Sequence, residues 1–272
     1  MQVVTEGYIP VEANFIRLME ENSRFSRDNI YLMCLDEYSE RAIEQMGFRC
    51  VPVIDHMKHR KMQYVWNLRV KVLGCLVDAG YDVITSDSDA LWLKDPVLDF
   101  NLPEVRGSSI VASRGNMPKE IVDQWGSTLC MGFVLFRAGP GMDTLLANME
   151  RLVIKIGDDQ KALNLALNEL DIDWDRTTDM KFISTNFGRG TVAEIGINVT
   201  LLPHNKYTRF CDQVPLGPNT TVAHCHAHKR GSLKRAWMKK EDLWKNGLSG
   251  EEDKGETQRV SRTEGDYSGP GT

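Results

Sequence analysis

The sequence predicts an α/β domain in which helices flank a mostly parallel sheet. Short apolar runs rich in β-branched residues alternate with stretches of helical periodicity. Those runs end at Gly or Asp, the residues that punctuate elements. No Pro/Gly/Ser linker and no internal repeat interrupts the chain before about Trp244.

Taken in order, Val3-Val4 closes a short first strand. Glu12 to Glu21 reads as a helix, because Phe15, Ile16, Leu18 and Met19 share one face. Ile30 to Leu35 is a buried strand ending at Asp36. Ser39 to Met46 is a helix stopped by Gly47, and Val51 to Ile54 is another short strand. A helix over Val65–Asp78 ends at Gly80, and Tyr81 to Ser86 is the strand that follows. Later strands fall at Ser109–Ala112 and Phe133–Phe136, with a helix from Asp158 to Leu170. The segment after residue 245 is polar and nearly free of aliphatic side chains. It cannot bury enough apolar surface to offset its ordering entropy. The expected organisation is therefore one domain, residues 1–245, and a disordered polar tail, 246–272.

With 272 residues, 42% hydrophobic and 26% charged, the chain has the make-up of a globular protein with a full core. A net charge of −5 argues against general nucleic-acid binding. No apolar run approaches the ~18 residues of a membrane span, and the first residues lack the pattern of a signal peptide. The six cysteines form no CxxC pair and read mostly as buried thiols, with room for a disulfide or two. Sequons stand at Asn198 and Asn219.

The informative stretch is Val83 to Pro96, VITSDSDALWLKDP. An apolar run ends in Asp87-Ser88-Asp89, on the carboxyl rim of the sheet, where α/β proteins bind ligands. Carboxylates two residues apart on an extended segment point the same way. They can share one hard divalent cation, which in turn can neutralise a diphosphate. A solvated turn would use the same triplet; the flanking apolar context and Asp95-Pro96 favour the ligand reading.

The longer block Arg69 to Pro96, RVKVLGCLVDAGYDVITSDSDALWLKDP, resembles the nucleotide-diphospho-sugar transferases, family 77 of the glycosyltransferases. The likeness runs from Thr5 to about Trp244 and is strongest in this block. It implies a GT-A type, Rossmann-like nucleotide-sugar-binding fold and a metal-dependent, retaining transfer. The donor would be a nucleotide sugar, usually a UDP-sugar, and the cation Mn²⁺ or Mg²⁺. The acceptor would be a hydroxyl of a glycan or a protein. By matching position, Asp87 faces the ribose and the metal, Asp89 ligates the metal, Arg69 helps hold the donor and Asp36 the nucleoside. Relatives include Golgi enzymes with a membrane anchor, so the resemblance implies the Golgi lumen if this chain is trimmed of such an anchor, and the cytoplasm otherwise.

Two further blocks contribute. In IGDDQKALNLAL, Ile156 to Leu167, the acids fall in the first turn of a helix, where they also complement its dipole. The resemblance makes Asp159 and Gln160 the residues that position the donor sugar, with Asp159 facing charge developing at the anomeric carbon. In VAHCHAHKRGSLKRAWMKK, Val222 to Lys240, extended backbone would align His224, His226 and His228 as candidate metal ligands. The resemblance selects His224 as ligand and Lys234 as the diphosphate's partner, and has no counterpart for the other two imidazoles. It departs at Cys130-Met131-Gly132-Phe133, where the family carries Asn first. A thiol cannot offer an amide's paired donor and acceptor, which points to altered specificity.

Three other readings compete. Asp171 to Phe182 imitates a calcium loop, but Arg176 stands where Gly is needed and Phe182 where a bidentate Glu belongs, so it reads as an acidic loop. A haloacid-dehalogenase-type phosphatase also places Asp-x-Asp after a strand, with the first Asp as nucleophile. A nucleotide-sugar-binding protein that has lost transfer is the non-enzyme alternative.

Overall fold

The protein is described from a computed structural model covering residues 1–52, 62–211, 214–225 and 231–244. Its strands are β1 (Gln2–Val4), β2 (Leu32–Cys34), β3 (Cys50–Pro52), β4 (Val83–Ser86), β5 (Leu91–Trp92), β6 (Ile110–Gly115) and β7 (Thr128–Phe136). They continue with β8 (Asp173–Trp174), β9 (Gly188–Val192), β10 (Ile197–Leu201), β11 (Tyr207–Arg209) and β12 (Val222–His224). The helices are α1 (Ile9–Asn22), α2 (Glu37–Gln45), α3 (Met62–Asp78), α4 (Pro96–Phe100), α5 (Lys119–Trp125), α6 (Met142–Ile156), α7 (Asp159–Glu169) and α8 (Gly231–Lys240).

Local chemistry sets many of these boundaries. Asp36, Asp95 and Asp158 cap α2, α4 and α7, each carboxylate accepting from a backbone N–H inside the first turn. Pro96 occupies the opening turn of α4, where its missing N–H costs nothing. Helix α6 stops at Gly157, whose φ of 74° few side chains tolerate and which lets the chain turn straight into α7.

Strands β1, β2 and β3 pair in parallel, and the main sheet runs β4-β7-β6-β10-β9-β8. Met1 joins the two. Its nitrogen donates to the Ile84 carbonyl at 2.7 Å, and its carbonyl accepts from Ser86 N–H at 3.3 Å, the pattern of a parallel pair. The parallel expectation therefore describes the half β3-β2-β1-β4, and the β6/β10 pair. The other half is mainly antiparallel: β4/β7, β7/β6, β10/β9 and β9/β8. Direction depends on which strands meet, and hydrophobic runs carry no trace of that. The α/β class itself is as expected.

Strand β7 is buried along its length and separates two cores. Val134 and Phe136 face Leu73 of α3, Leu145 and Met149 of α6, and Leu163 of α7. Phe133 and Leu135 face the opposite layer, with Phe15 of α1, Trp92, Tyr207 and Met238 of α8. A third small sheet, β11-β12-β5, lies in that second layer. Its β12 ends in His224, beside the carboxyl end of β4. The proposed tail, 246–272, lies outside the described residues, as do His226 and His228.

Candidate active site

Strand β4 delivers the Asp87-Ser88-Asp89 segment, but not as extended chain. Ala90 N–H closes a turn on the Asp87 carbonyl at 2.8 Å, and Asp87 N–H is held by the Gly132 carbonyl at 2.9 Å. The carboxylates still converge, through the turn rather than through strand alternation. Ser88 between them points inward and donates to Glu12 Oε2 at 2.5 Å. Glu12 is wholly buried on α1, and burial pushes its carboxyl up to about 7, against the lowering effect of the Ser88 hydrogen bond. Sequence reasoning passed over Glu12, although a charged residue on the apolar face of α1 was a visible anomaly.

His224 approaches from β12. Its Nε2 stands 3.6 Å from Asp89 Oδ2 and 3.8 Å from Asp87 Oδ2. One ligand atom from each of Asp87, Asp89 and His224 can be chosen so that all lie within 4.8 Å of one another. Two carboxylates and an imidazole suit Mn²⁺ or Mg²⁺ in hardness and charge, so the residues fit the cation expected. Lys234 of α8 forms an ion pair with Asp89 Oδ2, and its ammonium lies 5.6 Å from the ring centre of Tyr8. Burial alone would raise the Asp89 carboxyl, but His224 and Lys234 outweigh it and hold it below the usual range. Conversely, burial disfavours charge on His224 and Lys234, yet Asp89 raises both above their ordinary values.

Arg69, buried on α3, organises the opposite wall. It donates to Asp87 Oδ1 at 2.8 Å and to the Met131 carbonyl at 2.9 Å, and its Nε lies 2.6 Å from Asp159 Oδ2. The last contact is an ion pair without hydrogen-bond alignment, since neither atom finds a hydrogen-bond partner. Burial lifts the Asp159 carboxyl to about 6, with Arg69 opposing. Gln160, next on α7, donates to the Met117 carbonyl at 3.0 Å. Asn164, one turn further, grips β7 at Leu129 through both the backbone N–H (2.8 Å) and the carbonyl (2.9 Å).

These groups line one cleft of about 280 Å³, with Arg69, Asp87, Asp89, Asp159, Gln160 and Lys234 on its walls. Asp36 is not among its lining residues. Both its oxygens are engaged elsewhere, Oδ1 with Ser39 N–H at 2.8 Å and Oδ2 with Glu6 N–H at 3.0 Å, so it acts as a cap at the end of β2. Cys130 and Arg209 also line the cleft. Burial would raise the Cys130 thiol, but Arg209 and His224 bring it down to about 7.

Asp87, Asp89 and His224, a group that could hold a metal ion, thus lie at the carboxyl end of β4 with a buried arginine and a lysine beside them, in a fold of the GT-A glycosyltransferase type. Two solved structures share the fold over 92% of this chain. One is the galactosyltransferase LgtC, crystallised with donor and acceptor sugar analogues (12% identity, 96% of that chain, TM-score 0.51). The other is the glycosyltransferase GlyE of Streptococcus pneumoniae TIGR4 (14% identity, 64% of that chain, TM-score 0.50). The chain spans only 36% of a further match, the bifunctional glycosyltransferase WbbM (12% identity, 61% of this chain, TM-score 0.41). The model of the nucleotide-diphospho-sugar transferase family matches residues 26–235, and the chain belongs to that family. No curated protein matches it. Family membership sets aside the phosphatase alternative and supports a glycosyltransferase.

Proposed function

We propose that this glycosyltransferase moves a sugar from a UDP-sugar to a hydroxyl of a glycan or protein, with retention, using Mn²⁺ or Mg²⁺ held by Asp87, Asp89 and His224. The observation that carries this reading is the convergence of those three side chains beside Lys234 in a single cleft. A divalent cation there neutralises charge developing on the departing nucleoside diphosphate. Lys234 supplies a second positive charge for the same diphosphate. Arg69, on the wall of the same cleft, helps hold the donor in this reading, and its contacts also keep Asp87 and Asp159 in fixed orientation, one on each side of it. Asp159, ionised at neutral pH despite its raised value, faces positive charge at the anomeric carbon, and Gln160 orients the sugar's hydroxyls.

Disulfides Cys34–Cys50 and Cys211–Cys225 support an oxidising lumen as the compartment. The exposed position of Asn219, in a turn beside Gly217–Thr220, is in keeping with its use as a glycan acceptor there.

The test is nucleoside-diphosphate release from a panel of UDP- and GDP-sugars, with Mn²⁺ and with EDTA. Metal-dependent release from a UDP-sugar is expected, with a loss of roughly 100-fold or more in Asp89→Ala. Equal release by wild type and variant would sink the reading.

A further inference from the structure

Resting on the donor and acceptor reading proposed above, we infer that one of the two sugars brought together in the cleft is acidic, and that Arg209 receives its carboxylate. Arg209 is then a specificity-determining residue, and the altered specificity expected around Cys130 has a stated chemistry.

The buried cations of the cleft differ in what balances them. Arg69 is paired with Asp87 and Asp159, and Lys234 with Asp89. Arg209 lines the same cleft and is only 6% exposed, yet no carboxylate among the described residues lies within ion-pair distance of it. Its hydrogen bonding is equally thin. Nη1 donates to the Cys130 sulfur at 2.6 Å, and Nε finds no partner. One sulfur cannot serve a guanidinium's whole fork of donors. Arg114, also buried without a carboxylate ion pair, shows how the fold satisfies such a group: it donates to four backbone carbonyls and to the Ser127 hydroxyl. Arg209 has no comparable set. A buried guanidinium short of both acceptors and counter-charge is costly, and a carboxylate entering the cleft supplies both.

The fold holds Arg209 ready for that role. Its backbone N–H donates to His204 Nε2 at 3.3 Å. It is the register partner of His224 in the parallel pair β11/β12, so guanidinium and imidazole project from adjacent strands on one face. The Cys211–Cys225 disulfide ties the same two strands just beyond that pair. Position also separates this anion site from the diphosphate's. The Cys130 sulfur that Arg209 touches lies 3.8 Å from His224 Nδ1, whereas Asp87 and Asp89 face Nε2 and Lys234 pairs with Asp89. The guanidinium thus stands across the imidazole from the groups that would take the diphosphate. Its anion is a second one, carried by a sugar. Uronic acids are the sugars with a carboxylate at the hexose's outer carbon.

Binding distinguishes the two sources. Calorimetry with Mn²⁺ compares UDP-glucuronate and UDP-galacturonate with UDP-glucose and UDP-galactose. A second arm, with UDP and Mn²⁺ present, compares disaccharides ending in each uronate with those ending in the parent hexose. One uronate should bind about 10- to 100-fold more tightly than its parent hexose, with the same preference in kcat/KM. A preference in the first arm puts the acid on the donor, and in the second on the acceptor. Arg209→Gln should bring the ratio to within a few-fold, and Arg209→Lys should keep part of it. The inference is overturned if wild type binds the hexoses at least as tightly as the uronates in both arms, a comparison that needs no variant to fold. An equal loss for UDP, UDP-uronates and UDP-hexoses in Arg209→Gln would assign Arg209 to the diphosphate and overturn it as well. Release from UDP-hexoses without any uronate preference would sink the inference and leave the transferase reading standing. No binding of UDP and no release from any donor would remove that reading, and the inference with it.

Discussion

Glu12 holds the Ser88 hydroxyl from below, and so holds the turn on which both aspartates stand. Its carboxyl, at about 7 in the folded chain against 4.5 ordinarily, keeps a proton that the unfolded chain has released. The stability it lends is complete below about pH 4.5 and is lost as the pH rises through about 7. The span corresponds to roughly 3 kcal/mol. Asp159, raised to about 6, acts in the same direction at lower pH. In Glu12→Gln the amide oxygen still accepts from Ser88 while the titration is gone. Urea unfolding of metal-free protein between pH 5 and 8 should therefore show the variant gaining on wild type as the pH rises. Parallel curves would mean that Glu12 is ionised throughout. Residues of this kind were hard to read in the sequence because their partners are remote: Glu12 and Ser88 are 76 positions apart, and Arg209 and Cys130 are 79. Asp87, Asp89 and Asp159 were legible because their chemistry is local, packed into short motifs at element ends.

At the scale of elements, the link between α7 and β7 matters most to the site, since α7 carries Asp159 and Gln160 while β7 carries Cys130 and Gly132. Asn164 makes that link by satisfying both backbone groups of Leu129. Asn164→Ala would leave a buried N–H and a buried C=O without their side-chain partner, at a cost of roughly 2–4 kcal/mol. Chemical denaturation should register it, with little change in the unfolding m-value; a loss below about 0.5 kcal/mol would mean that water or a shifted side chain replaces the amide. Helices α1, α3 and α7 were visible in the sequence because each has an apolar face long enough to show its period. Helix α6 was equally readable, with Leu145, Leu146, Met149, Leu152 and Val153 on its buried side and glycines at both ends, but it was overlooked. Strands β8 to β12 were not readable. They span two to five residues each, and partners elsewhere in the chain define them.

For the molecule as a whole, the two disulfides staple opposite regions: Cys34–Cys50 joins β2 to β3, and Cys211–Cys225 joins the ends of β11 and β12. The second closes a loop spanning 14 positions, for which chain entropy predicts a contribution of about 3 kcal/mol. Replacing both its cysteines by serine should lower stability by about that amount and weaken Mn²⁺ binding, because His224 adjoins the bridge. Unchanged melting in the double variant would show that the bridge adds nothing to the native state. The arrangement of the cleft also bears on how the protein comes into being. Asp87 and Asp89 emerge from the ribosome well before His224 and Lys234, and α8, which carries Lys234, docks on α1 through Met238 and Asn14. Synthesis proceeds at roughly 5–20 residues per second. For several seconds, then, each nascent chain has its carboxylates but not the imidazole or the lysine, and a polypeptide cut short before residue 224 can never assemble the site. On the proposed reading of the cleft, competence to bind cation and donor together thus reports that translation has passed α8.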